Sequence, residues 1–161
     1  MEIDEYSLAA PSDYYDDAAT FLIKWEHFSA KPYWDVNAWR IGYGSDNITR
    51  ANGSIVKVTR RSGPITKEDA LRDLKRRILE FEVRAVRQVG SNTWDNLPGN
   101  AKAALISVTY NYGSLPSSVV SAVKGSNIQI ISKAVANLQH HNNGVNRSRR
   151  LAESRMILGG Q

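Results

Sequence analysis

At 161 residues, with 42% apolar and 23% charged residues, the chain has the size and composition of one globular domain that buries about two-thirds of its unfolded surface. It contains no cysteine, and its three histidines (His27, His140, His141) lack paired ligand spacing, so disulfides and thiolate metal sites are excluded and nothing argues for a metal or another cofactor. The net charge is +5, but residues 1–17 hold six acids and no base, leaving 21 basic against 10 acidic residues in a body suited to an anionic partner or simply to water.

No apolar run approaches the length of a membrane span, and the opening MEIDEYSLAAPSDYYDD is acidic where an export signal would be basic. Residues 1–16, with Pro11 among acids, read as an N-terminal arm without a core of its own, and residues 17–161 as the folded domain. From Asp17, residues Ala18, Phe21, Leu22 and Trp25 recur at helical spacing, which predicts an amphipathic helix with Glu26 in its last turn and Pro32 as its stop. The segments PYWDV, WRIGYG and SIVKVT are aromatic and β-branched, and Asn52-Gly53 suits a hairpin turn with positive φ at both central positions. Together they predict a small antiparallel sheet of three strands.

Thr66 caps the next predicted helix, with Glu68 and Asp69 in its first turn and an apolar stripe through Leu71, Leu74, Ile78, Phe81, Ala85 and Val89. Leu97-Pro98 opens another, with Ala101, Ala104, Leu105, Val108 and Tyr112 as its stripe and Gly113 as its stop. Shorter helical stretches follow over 117–124, 127–138 and 147–158, separated by Gly125 and the polar run HHNNG. One helix, a small sheet and then helices alone make an α+β domain, the sheet next to a mainly helical lobe.

The stretch WEHFSAKPYWDVNAWRIGYGSD, residues 25–46, holds the chemistry. Spacing such as that of Glu26 and Asp35 is shared by many surface carboxylates, so context has to decide. Glu26 borders an apolar stripe beside Trp25, where burial favours a protonated carboxyl suited to general acid work. Asp35 sits in a polar turn near Asn37 and is expected to stay ionised. Two carboxyls pushed apart in this way, among Tyr33, Trp34, Trp39 and Tyr43, match what cleavage of a glycosidic bond needs. Those rings serve equally to stack on sugars or to pack a core.

The string from Glu26 to Gly44 resembles the phage lysozyme family of glycoside hydrolases. Its signature runs Glu, eight residues, Asp, five residues, Thr, then Ile-Gly-x-Gly; here Glu26 and Asp35 keep the first spacing, but only four residues separate Asp35 from Arg40, and Ile41-Gly42-Tyr43-Gly44 follows. LPGNAKAALISVTYNYG, residues 97–113, resembles the family's central helix, and NRSRRLAE, residues 146–153, its C-terminal Asn-Arg-x-x-Arg segment. The resemblance implies a lysozyme-like fold and a muramidase that cuts peptidoglycan glycan strands at the β-1,4 bond between N-acetylmuramic acid and N-acetylglucosamine. Glu26 would be its general acid and Asp35 its second carboxylate, with Asn111 binding substrate and Arg147 near the acid.

Arg40 replaces the family threonine that places the attacking water, and it cannot accept a hydrogen bond. It is read as binding an acidic substituent of the glycan, as clamping Asp35 or Asp46, or as a solvated strand arginine. Ser45-Asp46 stands where the family has His-Thr, so Asp46 is either a turn cap or a reserve for Asp35. With no threonine, a lytic transglycosylase using Glu26 alone is an alternative, and a non-catalytic wall-binding or virion module is a second. Nucleic-acid binding has only charge behind it and no motif. The resemblance further implies a monomer made in the host cytoplasm that reaches the periplasmic wall through a holin-type pore or as part of a virion.

Overall fold

The computed structural model describes the backbone of residues 2–160 and the side chains of residues 14–160. Helix α1 (Glu2–Glu26) leads into strands β1 (Ser29–Asp35), β2 (Ala38–Gly42), β3 (Asn47–Thr49) and β4 (Ile55–Lys57). Helices α2 (Lys67–Val89), α3 (Ser91–Asp95), α4 (Gly99–Tyr112), α5 (Ser117–Lys124) and α6 (Ile128–Asn137) follow, then a 3-10 segment (Leu138–Gly144) and α7 (Arg147–Ile157). The chain divides into two compact units, residues 19–79 and residues 1–18 with 80–161.

The helix that was expected from Asp17 has backbone bounds reaching back to Glu2. The side chains of the expected acidic arm lie outside the described residues except at positions 14–16. Pro32 is not the stop. His27 at φ 51° ends the helix in a left-handed turn, and Pro32 lies inside β1.

Residues 19–79 carry all four strands. The α+β class holds, but the expected three-stranded sheet is two hairpins, β1 with β2 and β3 with β4. Between them the Gly42 to Gly44 turn interrupts the ladder, leaving a single bridge between Ile41 and Ser45. Strand β3 is instead tied to α2 by side chains. Thr49 Oγ1 donates to Asp73 Oδ1 at 2.7 Å, Arg76 Nε donates to Thr49 Oγ1 at 2.8 Å, and Arg72 Nη1 donates to the Thr49 carbonyl at 3.0 Å. The β3–β4 turn has positive φ at Gly53 but not at Asn52, with Gly53 N donating to the Arg50 carbonyl at 2.8 Å, a three-residue loop closed by glycine. The start of α2 is a reciprocal cap: Asp69 N donates to Thr66 Oγ1 and Thr66 N to Asp69 Oδ2, both at 3.1 Å. The Thr66 backbone bond, with Arg72 beside it, holds the Asp69 carboxyl below its usual value.

In the other unit, α4 is buried on every side, with Ala101, Ala103, Ala104, Leu105, Ile106 and Val108 fully enclosed. That makes it the centre of a helical lobe rather than an amphipathic surface helix, and Tyr112, assigned to the stripe, is exposed at its end. Helix α7 packs on α4 and α6. Gly113 stops α4 in the left-handed conformation, as expected. Tyr14 and Tyr15 both donate to the Glu82 carboxylate, which also accepts from Trp94 Nε1 at 3.0 Å. Burial, then the Glu82 bond, pushes the Tyr14 phenol up.

Candidate active site

Within residues 19–79, the left-handed turn at His27 leaves Glu26 half-buried at the end of α1 and sends the chain directly into β1. β1 and β2 pair antiparallel, with Tyr33 opposite Arg40, Trp34 opposite Trp39 and Asp35 opposite Ala38. A two-residue loop, Val36 and Asn37, joins them, so Asp35 is the last residue before the tip. Its side chain is half exposed.

Arg40 reaches diagonally across this hairpin, as side chains two positions apart on facing strands can. Its Nε lies 3.1 Å from Asp35 Oδ2, and its Nη1 donates to the Gly44 carbonyl at 3.3 Å. Of the readings open for Arg40, the clamp on Asp35 is the one present. Arg40 is thereby anchored at two points, and Asp35 Oδ1 has no partner among the described residues.

The Ile-Gly-x-Gly run is explained by close approach. A Cβ on Gly42, at φ 65°, would lie 3.1 Å from Ala70 Cβ, where β2 meets the first turn of α2. A Cβ on Gly44, at φ 83°, would lie 3.2 Å from Glu26 Oε1 and 4.0 Å from the Tyr33 hydroxyl. Glu26 and Tyr33 thus converge on the bare face of Gly44. Burial, followed by the negative charges of Asp35 and Glu26, pushes the Tyr33 phenol up, against Arg40 and Arg77. Gly44→Ala is expected to cost roughly 1–2 kcal/mol of stability through its positive φ and to displace the Glu26 carboxyl. Chemical denaturation and activity measured together check this, and normal activity of the folded variant would show that Glu26 does not depend on that bare face.

Two of the residues expected at the site are enclosed. Tyr43 is only 6% exposed and packs its ring on Phe28 at 5.7 Å, beneath the glycine turn. Ser45 is 4% exposed, and its Oγ accepts the Asn47 N–H at 3.0 Å, a turn-closing bond. Asp46 is half-buried and pairs locally, its Oδ1 accepting from the neighbouring Asn47 Nδ2 at 3.0 Å. Trp34 stays 58% exposed, edge-on to Trp39 at 5.6 Å.

Asn111 and Arg147 belong to the other unit. Asn111 is exposed on the last turn of α4, and Arg147 is exposed on the first turn of α7. Asn111 Oδ1 accepts from Arg150 Nη1 at 3.0 Å. Arg150 is fully buried, with Nε 2.7 Å from Glu153 Oε1 and Nη2 donating to Glu153 Oε2 at 2.9 Å. Among the described residues no group of three or more His, Asp or Glu is placed to hold a metal ion, and no helix is long and apolar enough to cross a membrane.

The sequence profile of the family described as phage lysozyme matches residues 23–155. The chain belongs to the phage lysozyme family. Solved structures agree on the fold. A point mutant of P22 lysozyme is similar at a TM-score of 0.69 and 22% identity, over 88% of this chain and 95% of that one. The active form of the P1 phage endolysin Lyz gives 0.67 and 20%, over 88% and 83%. The muramidase domain of SpmX from Asticaccaulis excentricus gives 0.67 and 20%, over 88% and 95%. No curated protein sequence matches the chain. As a phage lysozyme the chain is a glycosidase that acts on peptidoglycan.

In this phage lysozyme Glu26, Asp35 and Arg40 share one compact unit, and three further side chains carry no role in their sequence motifs. Tyr33 was taken only as one ring among several, although it stands opposite Arg40. Arg150 and Glu153 were quoted in the C-terminal motif without a role. Their signal was present as charges at positions 150 and 153, on the same helical stripe as the buried Ile157.

Proposed function

We propose that the chain is a muramidase that hydrolyses the β-1,4 bond between N-acetylmuramic acid and N-acetylglucosamine, with Glu26 as general acid and Asp35 as the second carboxylate. The observation that carries this reading is the Glu26 carboxyl held against Gly44 of the Ile-Gly-x-Gly turn, in a member of the phage lysozyme family. The similar SpmX domain, named a muramidase, supports it. Glu26 gives its proton to the leaving glycosidic oxygen as that bond breaks. Asp35 faces the positive charge growing at the anomeric carbon, or takes a proton from the attacking water, through the oxygen that Arg40 leaves unengaged. Asn111 and Arg147 are auxiliary residues in this reading, and Asp46 is held in reserve.

In this reading Arg40 does not place water; it fixes the direction of Asp35. Arg40→Ala is expected to lower kcat several-fold while changing stability by less than about 1 kcal/mol, because the pair is solvent-exposed. An unchanged kcat would remove Arg40 from the mechanism. The same substitution of the family threonine favours a second reading, a lytic transglycosylase that uses Glu26 alone and closes an anhydro ring with the sugar's own hydroxyl. Mass spectrometry of digested peptidoglycan separates the two: reducing ends are expected, and anhydromuramic ends would overturn hydrolysis.

The enzyme acts as a monomer, with residues 1–16 as an arm on the catalytic domain 17–161. It is made in the host cytoplasm and meets the wall through a holin-type pore. The cationic body draws it to the anionic wall, so binding to purified wall weakens as salt rises.

A further inference from the structure

Side chains alternate across a strand, so the β1–β2 hairpin has two faces. Tyr33, Asp35 and Arg40 share one, where Arg40 clamps Asp35 and Tyr33 meets Glu26 over Gly44. Trp34 and Trp39, directly opposite each other, stand on the reverse face with Ile41. The base of that face is covered by the segment before α2. A Cβ on Gly63 would lie 3.3 Å from Ile41 Cδ1 and 3.4 Å from Pro32 Cδ, and Ile65 N donates to the Ala30 carbonyl at 2.9 Å. Ile65 Cδ1 also lies 3.4 Å from where a Gly42 Cβ would stand. With Ile65 at Gly42 and Gly63 at Ile41, the segment runs toward the hairpin tip as its numbers fall, and the turn of residues 59–62 comes next in that direction.

At the tip Trp34 is 58% exposed, set edge-on to Trp39. Arg60 and Arg61 are exposed at the corners of the turn, and neither guanidinium has a partner among the described residues. The turn that presents them is tied at three points: Ser62 N donates to the Thr59 carbonyl at 3.0 Å, Thr59 N to Ser62 Oγ at 2.8 Å and Arg61 N to Thr59 Oγ1 at 3.2 Å. No acid occurs from Asn47 to Thr66, so this positive charge is uncompensated along the chain. An aromatic ring stacks on the apolar face of a pyranose, and a guanidinium forks onto a carboxylate. Peptidoglycan joins the two chemistries, with a carboxylate on each muramic residue or on the peptide it carries. A lipid surface fits less well, because the half-exposed Asp35 between Trp34 and Val36 would be carried into it. We infer that the reverse face of the catalytic hairpin is a second, non-catalytic glycan site, where Trp34 stacks on a sugar and Arg60 and Arg61 pair with carboxylates of a neighbouring peptidoglycan strand. The inference goes beyond the muramidase reading: it rests on peptidoglycan as the substrate and not on Glu26 as the acid.

The test measures binding, on ice, of the full chain carrying Glu26→Gln to purified sacculi freed of attached polymers. Trp34→Ala is expected to weaken that binding at least about tenfold, and Arg60→Ala together with Arg61→Ala to do the same, with thermal midpoints unchanged. Chitin has the sugar ring without the carboxylate, so its binding is expected to respond to Trp34→Ala but not to the arginine pair. With Glu26 restored, the arginine variant should cleave a soluble tetrasaccharide of alternating N-acetylglucosamine and N-acetylmuramic acid at the unsubstituted rate, since one short chain fills only the reaction face. Should Trp34→Ala not fold, the arginine variant decides alone. Sacculus binding that is unchanged in the arginine variant overturns the inference, and so does a loss of tetrasaccharide cleavage, which would place these residues in the cleft. Tighter binding to phosphatidylglycerol vesicles than to sacculi, lost in the same variant, overturns it in favour of a membrane. Each of these outcomes leaves the muramidase reading standing. That reading falls instead if the unsubstituted chain cleaves neither sacculi nor the tetrasaccharide, and the binding results then still decide the second site.

Discussion

Glu26→Gln is expected to abolish lysis of permeabilised Gram-negative cells while leaving binding to the wall intact. Glutamine has the size of glutamate and keeps an oxygen to place over Gly44, but it has no proton to give the departing sugar oxygen. General acid catalysis contributes about a hundredfold to ten-thousandfold, and a glycosidic bond has a leaving group poor enough to need it. The turbidity assay should therefore show a loss of at least about a hundredfold in rate, with wall pull-down unchanged. Glu26→Asp adds a control on geometry. It keeps the acid but shortens the arm by one carbon, and misplacement of about 1 Å costs on the order of a hundredfold. Both variants should be near-inactive. Normal lysis by Glu26→Gln would sink the assignment, and absence of lysis by the unsubstituted enzyme would favour a wall-binding or virion module that kept the fold.

Much of this site was legible because its determinants are local. Glu26 follows Leu22 and Trp25 on one helical face, Asp35 closes a strand, and Gly42 and Gly44 need positive φ within a few residues of both. Periodicity and turn chemistry act over such distances. The β-sheet was harder because strand pairing depends on what lies above it. The three-residue strand Asn47–Thr49 has almost no pattern of its own and exists because Thr49, Asp73, Arg72 and Arg76 bind it to α2. Tyr43 was open for a related reason. Its ring could stack on a sugar or pack a core, and the turn that its flanking glycines permit directs it onto Phe28. Arg40 was read as one of several clamps or as solvated because a sequence gives spacing but not the diagonal across a hairpin.

Glu153→Leu is expected to be the most damaging single change to stability. Glu153 is fully buried on α7 between Arg149 and Arg150, with Arg149 Nε 3.4 Å from Oε2 and the Ser107 hydroxyl donating to the same oxygen. Leucine matches its volume but takes the carboxylate from the fully buried Arg150, removes one partner of Arg149 and leaves Ser107 without its acceptor. Breaking a buried pair from one side costs about 3–5 kcal/mol, and here the Arg150–Glu153 pair is broken in that way. Against a total of roughly 5–15 kcal/mol that is a large share, and the thermal midpoint should fall by about 6–20 °C. Added salt should not rescue it, since screening does not reach enclosed charges. Glu153→Gln keeps hydrogen bonds to Ser107 and to one arginine and should lose much less. Burial pushes the Glu153 carboxyl up, opposed by Arg150, Arg149 and Ser107. The folded state therefore holds this proton more tightly than the unfolded chain. That contribution is complete below the ordinary carboxyl value and is lost as the pH rises through the raised one. The gap between wild type and Glu153→Gln should accordingly narrow as the pH climbs from the ordinary carboxyl value, because only the wild-type side chain must ionise. Denaturant unfolding over that range measures it, and a gap that widened instead would mean that the two arginines outweigh burial at Glu153.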